Sequence, residues 1–321
     1  MVMLTKRALL LAEIEATYSV DPTPAPATNA ILVIDPKIKV AGEVLQREFA
    51  RSSLSPLAPV IGMKEVEVTF STELKGSGTA NAGGAANVPE IDPLLQGCGL
   101  APTLTAETIG GAGDGHIDYS PISDSLKSVA MYLYLDGLLH KILGAVGNVS
   151  AKLEAGKYGL LDWTFKGLYS DPTDAAIASG AVFNSQKPRP FMNASFAIGA
   201  YAGIIQALNF ELANEIGKRV SANSADGVVG FSITGRGTKG AINPEAVTKA
   251  TYDFWARWKA GTGQALSATV GDTAGAKIDI TAPNCVYTDI GWGDRDRVRT
   301  YELPFAMAES SGNDEIKLKF Y

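Results

Sequence analysis

From Glu65 to Leu74 the chain alternates strictly: Val66, Val68, Phe70 and Leu74 fall on one side of a two-residue period, and Glu65, Glu67, Thr69, Ser71 and Glu73 on the other. A helix, repeating every 3.6 residues, would scatter these two sets around its circumference, whereas an extended strand sorts them onto opposite faces. Such a strand belongs to an antiparallel sheet with one face buried and the other polar. The pattern returns twice: Leu208, Phe210 and Leu212 against Asn209, Glu211 and Ala213, and Val229, Phe231 and Ile233 against Gly230, Ser232 and Thr234. Turn-forming residues lie between the arms. Ser52–Gly62 carries Ser55, Pro56 and Pro59, and Ser221–Gly227 carries Asn223, Asp226 and Gly227. Two long hairpins are expected, over Glu43–Gly76 and Ile205–Gly235.

Helices are few. Asn243, Pro244 and Glu245 have the order of an N-cap, a first-turn proline and a first-turn acid, with Val247, Thr251, Phe254, Trp255 and Trp258 at helical spacing and Gly261 as a stop. Asp92 and Pro93 open a shorter version, with Leu94, Leu95 and Cys98 as its apolar stripe. The opening segment, with Lys6 and Arg7 before a short apolar patch and then Glu13 and Glu15, is too brief for a signal sequence and is expected to be an amphipathic helix. The nearly apolar run Phe196–Leu208 is too short to span a membrane.

The hairpin-and-helix order occurs twice, which suggests an internal duplication. Tyr134–Asn148 aligns without a gap on Val270–Asn284, matching Asp136 to Asp272, Lys141 to Lys277 and Asn148 to Asn284. Downstream, Leu161, Trp163 and Phe165 correspond to Tyr301, Leu303 and Phe305. The expected organisation is an N-terminal arm with a short helix over 1–30, a first β domain over 31–172, a linker over 173–192 and a second β domain over 193–321. Chance similarity between β patterns is the alternative.

Composition narrows the function. Charged residues are 19% of 321, below the roughly 25% of ordinary soluble domains, while apolar residues are 46%, so an uncharged surface must be covered, as in an oligomer. A net charge of -6 and a pI near 5.1 give no basic field for nucleic acid or anionic lipid. Two cysteines, Cys98 and Cys285, match neither a zinc spacing nor a disulfide framework.

Catalytic signatures are weak. Two histidines, His116 and His140, supply no multi-histidine metal site. The strings Gly76–Gly84 and Gly110–Gly115 lack the context of phosphate cradles and read as loops. Asp289, Asp294 and Asp296 are interleaved with Arg295, Arg297 and Arg299, which suits a turn better than a cation site. Glu65, Glu67 and Glu73 lack a partner carboxylate and a sugar platform. Trp163, Trp255, Trp258 and Trp292 read as core or interface aromatics. No catalytic residue, cofactor or metal is expected, and low charge with two-faced hairpins describes a building block. Copies that pair edge to edge would close their sheets into a ring with no free strand.

In this setting the sequence resembles the major tail tube proteins of long-tailed, non-contractile bacteriophages. The resemblance is carried by Leu4–Val33, Pro93–Thr103, Tyr134–Tyr169 and Gly293–Phe320, in that order along the whole chain. It implies a mainly β fold of two tandem antiparallel sandwich or barrel domains, each with a long hairpin and one short helix. It also implies stacked rings forming a hollow tube in the virion tail, assembled in the host cytoplasm around a tape-measure protein, with tail terminator and tail tip proteins at the ends. With two domains per chain, three copies would make a pseudo-six-fold ring; a hexamer is the alternative. Glu65, Glu67, Glu73, Asn209, Glu211, Ser232 and Thr234 are then expected to face the lumen, where carboxylates and hydroxyls avoid the phosphate contacts that lysine and arginine would make. DNA would pass without specific binding. Lys75 and Arg236 fit this picture only at a rim or in ion pairs. The tips containing Ser55, Pro56 and Pro59, and Asn223 and Asp226, are expected to contact adjacent rings, as is the N-terminal arm. Another self-assembling or adhesive β module, such as a virion decoration or secretion-tube protein, is the alternative function.

Overall fold

The computed structural model describes residues 2–81, 87–107 and 115–321, so the two glycine-rich strings lie partly outside the described residues. The fold is mainly β, built of antiparallel strands with three short helices among the described residues. The N-terminal segment corrects the sequence expectation: it is a strand, β1 (Ala8–Ile14), with Leu9, Leu10, Leu11 and Ala12 all buried. Consecutive buried residues need cover on both faces, which a strand inside a layered structure receives and a one-sided helix does not. A single turn, α1 (Pro26–Asn29), leads into β2 (Ala30–Ile31), which pairs with β1.

β3 (Ile34–Leu45) and β4 (Val60–Glu73) form the first long hairpin, with Ile38 opposite Val68 and Lys39 opposite Glu67. Its connection is residues 46–59 and not Ser52–Gly62, because Val60 and Ile61 extend the ladder to Leu45 and Val44. α2 (Asp92–Gly97) starts where Asp92 and Pro93 predict it. β5 (Leu100–Thr105) and β6 (His116–Pro121) make a second hairpin. β7 (Val129–Leu135) turns tightly into the long β8 (Gly137–Glu154) through Asp136 and Gly137, whose φ values of 39° and 116° suit a glycine. β9 (Leu160–Leu168) returns along β8, and β10 (Thr173–Ala175) pairs with its start.

After the short β11 (Ala197–Ile198), β12 (Ile205–Glu211) carries the Leu208 and Phe210 alternation. It does not form the expected hairpin with Val229–Ile233. The chain bends at Ala213, φ 51°, and the hairpin is made by β13 (Asn214–Val220) and β14 (Val228–Arg236) as a separate two-stranded sheet. The expected turn at Ser221–Gly227 is present. β15 (Lys239–Pro244) then pairs with β12, so the predicted helix start at Asn243 is a strand end. Asn243 Oδ1 accepts the backbone N–H groups of Gln206 and Ala207, a role that resembles capping in sequence but serves the sheet. The helix, α3 (Phe254–Ala260), begins later: Asp253 caps it by accepting the Ala256 N–H at 2.9 Å, and Gly261 ends it in the left-handed conformation. β16 (Gln264–Val270), β17 (Ile278–Tyr287), β18 (Gly291–Arg295), β19 (Val298–Ala308) and β20 (Lys317–Phe320) complete the chain. Asp296 and Arg297 sit at positive φ in the β18–β19 turn, the structural role expected of that charged segment.

Register places eight strands in one continuous sheet, β3-β4-β9-β8-β12-β15-β19-β17. β8 and β17 are shared between layers. The first part of β8 pairs with β7, and the first part of β17 pairs with β16 and β20, in a second layer behind this sheet. β20 also pairs with β6, and one buried cluster runs through both halves of the chain. It contains Phe70, Trp163 and Phe165 beneath α2, and Phe254, Tyr287 and Tyr301 around α3.

Candidate functional site: the polar face of the sheet

The apolar sides of β4, β9, β8 and β12 point into the core, so their alternate residues form one surface. Following the ladders, Glu67 lies beside Lys166, Ser71 beside Asp162, Asp162 beside Ser150, and Ser150 beside Glu211. Glu65, Glu67, Glu73, Asn209 and Glu211 therefore share a face, although Glu73 and Asn209 come from distant parts of the sequence. Asn148, Ser150, Lys152, Asp162, Thr164 and Lys166 lie on it too, and the sequence reading missed them. Their signal was available: Asn148, Ser150 and Lys152 alternate with buried Val149, Ala151 and Leu153, and Asp162 and Thr164 with buried Leu161, Trp163 and Phe165.

The face is not simply acidic. Glu65 pairs with Lys218 at 3.0 Å and Glu211 with Lys239 at 3.4 Å. Glu67 has Lys39 and Lys166 as its cross-strand neighbours. Asp162 accepts hydrogen bonds from Lys152 and from Ser71 Oγ. Burial would raise the Asp162 pKa, but these two bonds outweigh it and hold the carboxyl below its usual value. The result is a surface of opposed and largely neutralised charges among hydroxyls and amides. Ion pairs at this exposure contribute little stability individually; their effect is to leave few charges on the face unopposed.

Ser232 and Thr234 lie elsewhere, on β14. That hairpin folds across the end of the polar face, with Val228, Phe231 and Ile233 against Val146, Met63 and Leu168. Ser232 and Thr234 alternate with Phe231 and Ile233, on the opposite side of the hairpin, where Thr234 Oγ1 donates to the Glu215 carbonyl at 3.1 Å. The two expected stacking tips also differ. Ser55, Pro56 and Pro59 are in the connection 46–59, where Leu54 is fully exposed. Asp226, from the Asn223-containing tip, contacts its own chain: its carboxylate accepts Lys64 Nζ at 3.1 Å and its carbonyl accepts the Lys64 N–H at 3.3 Å.

Both awkward cations are paired. Lys75 is buried against Glu90 at 3.0 Å and also donates to the Asn184 carbonyl. Arg236 pairs with Glu315 at 2.8 Å and donates to Asn313 Oδ1 and the Ile122 carbonyl. The hairpin is tied to the rest of the chain through the N-terminal arm. Tyr18 Oη accepts the Phe231 N–H at 2.8 Å and donates to the Gly144 carbonyl at 3.1 Å; burial, foremost, raises its pKa. Glu15, 3% exposed, accepts the Ser19 and Gly144 N–H groups and the Ser128 hydroxyl.

Among the described residues, no group of three His, Cys, Asp or Glu side chains is arranged to hold a metal. Cys98 and Cys285 are buried thiols, and burial pushes Cys285 up to about 12, so neither is a thiolate near neutral pH. No helix among the described residues is long and apolar enough to cross a membrane.

The model of a family described as phage tail tube protein matches residues 5–320. No curated protein matches the chain.

Proposed function

The chain belongs to the phage tail tube protein family, and from that premise we propose that it stacks as rings into the hollow tube of a non-contractile, long-tailed phage. It is a structural protein of the virion tail. In the proposal the eight-stranded sheet is the tube wall, its polar face lines the lumen, and genomic DNA passes through without specific contacts. The supporting observation is that face itself: broad, continuous across both halves of the chain, and with Glu65, Glu67, Asp162 and Glu211 paired with or flanked by lysines. A wall of this kind offers sliding DNA few unopposed cations and little apolar surface.

The strand order β3-β4-β9-β8 is followed by β12-β15-β19-β17, in which arm, return strand, final strand and layer-spanning strand recur. This repetition favours two related tube domains per chain, joined over 173–192, and three chains per pseudo-six-fold ring. Three copies of the eight strands would give about 24, beyond the 16 to 18 that already enclose an aqueous channel. A hexamer of chains is the competing stoichiometry. Assembly is proposed in the host cytoplasm around a tape measure, with terminator and tip proteins at the ends; Ser55, Pro56 and Pro59 remain the best-placed tip residues for the neighbouring ring. Electron microscopy of the purified protein with mass determination of single rings tests this. Rings with an open centre and three chains are expected; discrete monomers at high concentration would refute it.

A further inference from the structure

The wall ends in two open edges. Among the described residues β3 pairs with β4 alone and β18 with β19 alone. β18 prolongs the wall beyond β17: Tyr287 opposite Phe305 is followed, after a one-residue slip, by Gly291 opposite Glu302.

The chain contains a finished junction of the kind these edges lack. β8 pairs with β7 as far as Ala145 and then takes β12 on that side, with Phe210 opposite Ala151 and Glu211 opposite Ser150. β17 likewise pairs with β16 as far as Cys285, and past it no described strand takes the vacated edge. Matching Leu161 and Phe165 of β9 to Tyr301 and Phe305 of β19 aligns the two halves. Ala151, opposite Leu161, then corresponds to Trp292, opposite Tyr301. Phe210 reaches Phe305 through Gly240, as Ile38 reaches Phe165 through Val68, so Phe210 corresponds to Ile38.

We propose that β3 of one copy pairs antiparallel with β18 of the next, Ile38 opposite Trp292 and Lys39 opposite Gly291, reproducing between chains the β8–β12 junction within one. The inference rests on the tube reading and names the edges that would close the ring.

Side chains suit both faces of this junction. On the apolar face, Trp292 is 55% exposed although its ring lies 4.9 Å from that of Tyr301 at a tilt of 46°, and Val40, next along the same face of β3, is 47% exposed. The internal junction places its large residue, Phe210, on the arm and its small one, Ala151, on the layer-spanning strand; here the large residue is Trp292, on the other partner. Cross-strand pairs of this type gain from contact at Cβ separations of about 4.5–5.5 Å. On the polar face, Gly291 has no side chain, which leaves Lys39 a lane over it to Glu302 on β19. Both are exposed, and neither makes an ion pair within the chain among the described residues.

The test joins K39C and G291C in the full chain. After assembly and mild oxidation, a non-reducing gel should show most chains as covalent oligomers, while either single-cysteine variant stays monomeric; the native cysteines are buried. As a second readout, K39E and E302K alone should each lower the assembled fraction, and K39E/E302K together should restore it; this set decides if the cysteine variant does not assemble. Tubes seen by microscopy in which the paired cysteines stay unlinked, or a charge exchange that rescues nothing in folded protein, would overturn the junction. Failure of the unaltered protein to form any ring or tube would instead refute the tube reading, and the junction with it.

Discussion

Replacing Glu15 should loosen the N-terminal arm and the hairpin that it helps to hold over the polar face. The Glu15 carboxylate accepts the Ser19 N–H at 2.7 Å, the Ser128 hydroxyl at 2.6 Å and the Gly144 N–H at 2.7 Å, in a site where Glu15 is 3% exposed. Each buried donor left without an acceptor costs about 1–3 kcal/mol. With part of that recovered by water at the less buried Ser19, Glu15→Ala should cost about 3–6 kcal/mol, a large share of the roughly 5–15 kcal/mol that a domain has. Glu15→Gln keeps one oxygen but turns an amide N–H toward a donor, so it should cost about 1–3 kcal/mol. Urea unfolding followed by tryptophan fluorescence gives both values, provided the denaturant slope is unchanged. The hairpin should respond in turn, because Tyr18, near Glu15 in the chain, accepts the Phe231 N–H. Amide exchange across β13 and β14 should therefore accelerate in the alanine variant. A Glu15→Ala protein within about 1 kcal/mol of the parent would refute the assignment of these bonds as its anchor.

Reversing Glu65, Glu67 and Glu211 to lysine should leave rings able to form but slow DNA passage, read as delayed ejection from reconstituted particles; normal infectivity would defeat the lumen assignment. Lys75→Met strands buried Glu90 and should cost about 3–5 kcal/mol, whereas the double variant Lys75→Met, Glu90→Leu should recover most of it; additive losses in the cycle would rule out coupling. Asp162 and Asp21 are each held below the usual carboxylate value, burial being outweighed by hydrogen bonds from Lys152 and Ser71 and from Tyr132 and Lys141. Their stabilisation is present above the unfolded pKa of about 4 and is lost as pH falls through the lower folded values, so Tm should drop below about pH 4, less steeply in Asp162→Asn.

The sequence was most informative where a local period carries the structure. Glu65–Leu74 reveals both the strand and its polar face, because each side chain's environment is set by its own parity. The Leu9–Ala12 run misleads because what distinguishes a strand there is cover on both faces, supplied by residues far along the chain. Asn243 and Pro244 imitate a helix start, yet the Asn243 side chain is spent on β12 and its carbonyl on Arg295 of β18, neither of which is local. The bend at Ala213 depends on Asn214, whose amide donates to the Cys98 and Gly147 carbonyls, 116 and 67 residues away. Cross-strand register explains the remaining miss: Glu67 looks like part of an acidic row until Lys39 and Lys166 are placed beside it.

The most direct measurement is a helical reconstruction of the assembled protein by electron cryomicroscopy, at a resolution that traces strands. It should show a closed β wall around an axial channel, with Glu67, Asp162 and Glu211 pointing toward the axis and β3 of each chain against β18 of its neighbour. A wall with those carboxylates on its outer surface, or an assembly whose sheets do not meet across chains, would contradict it.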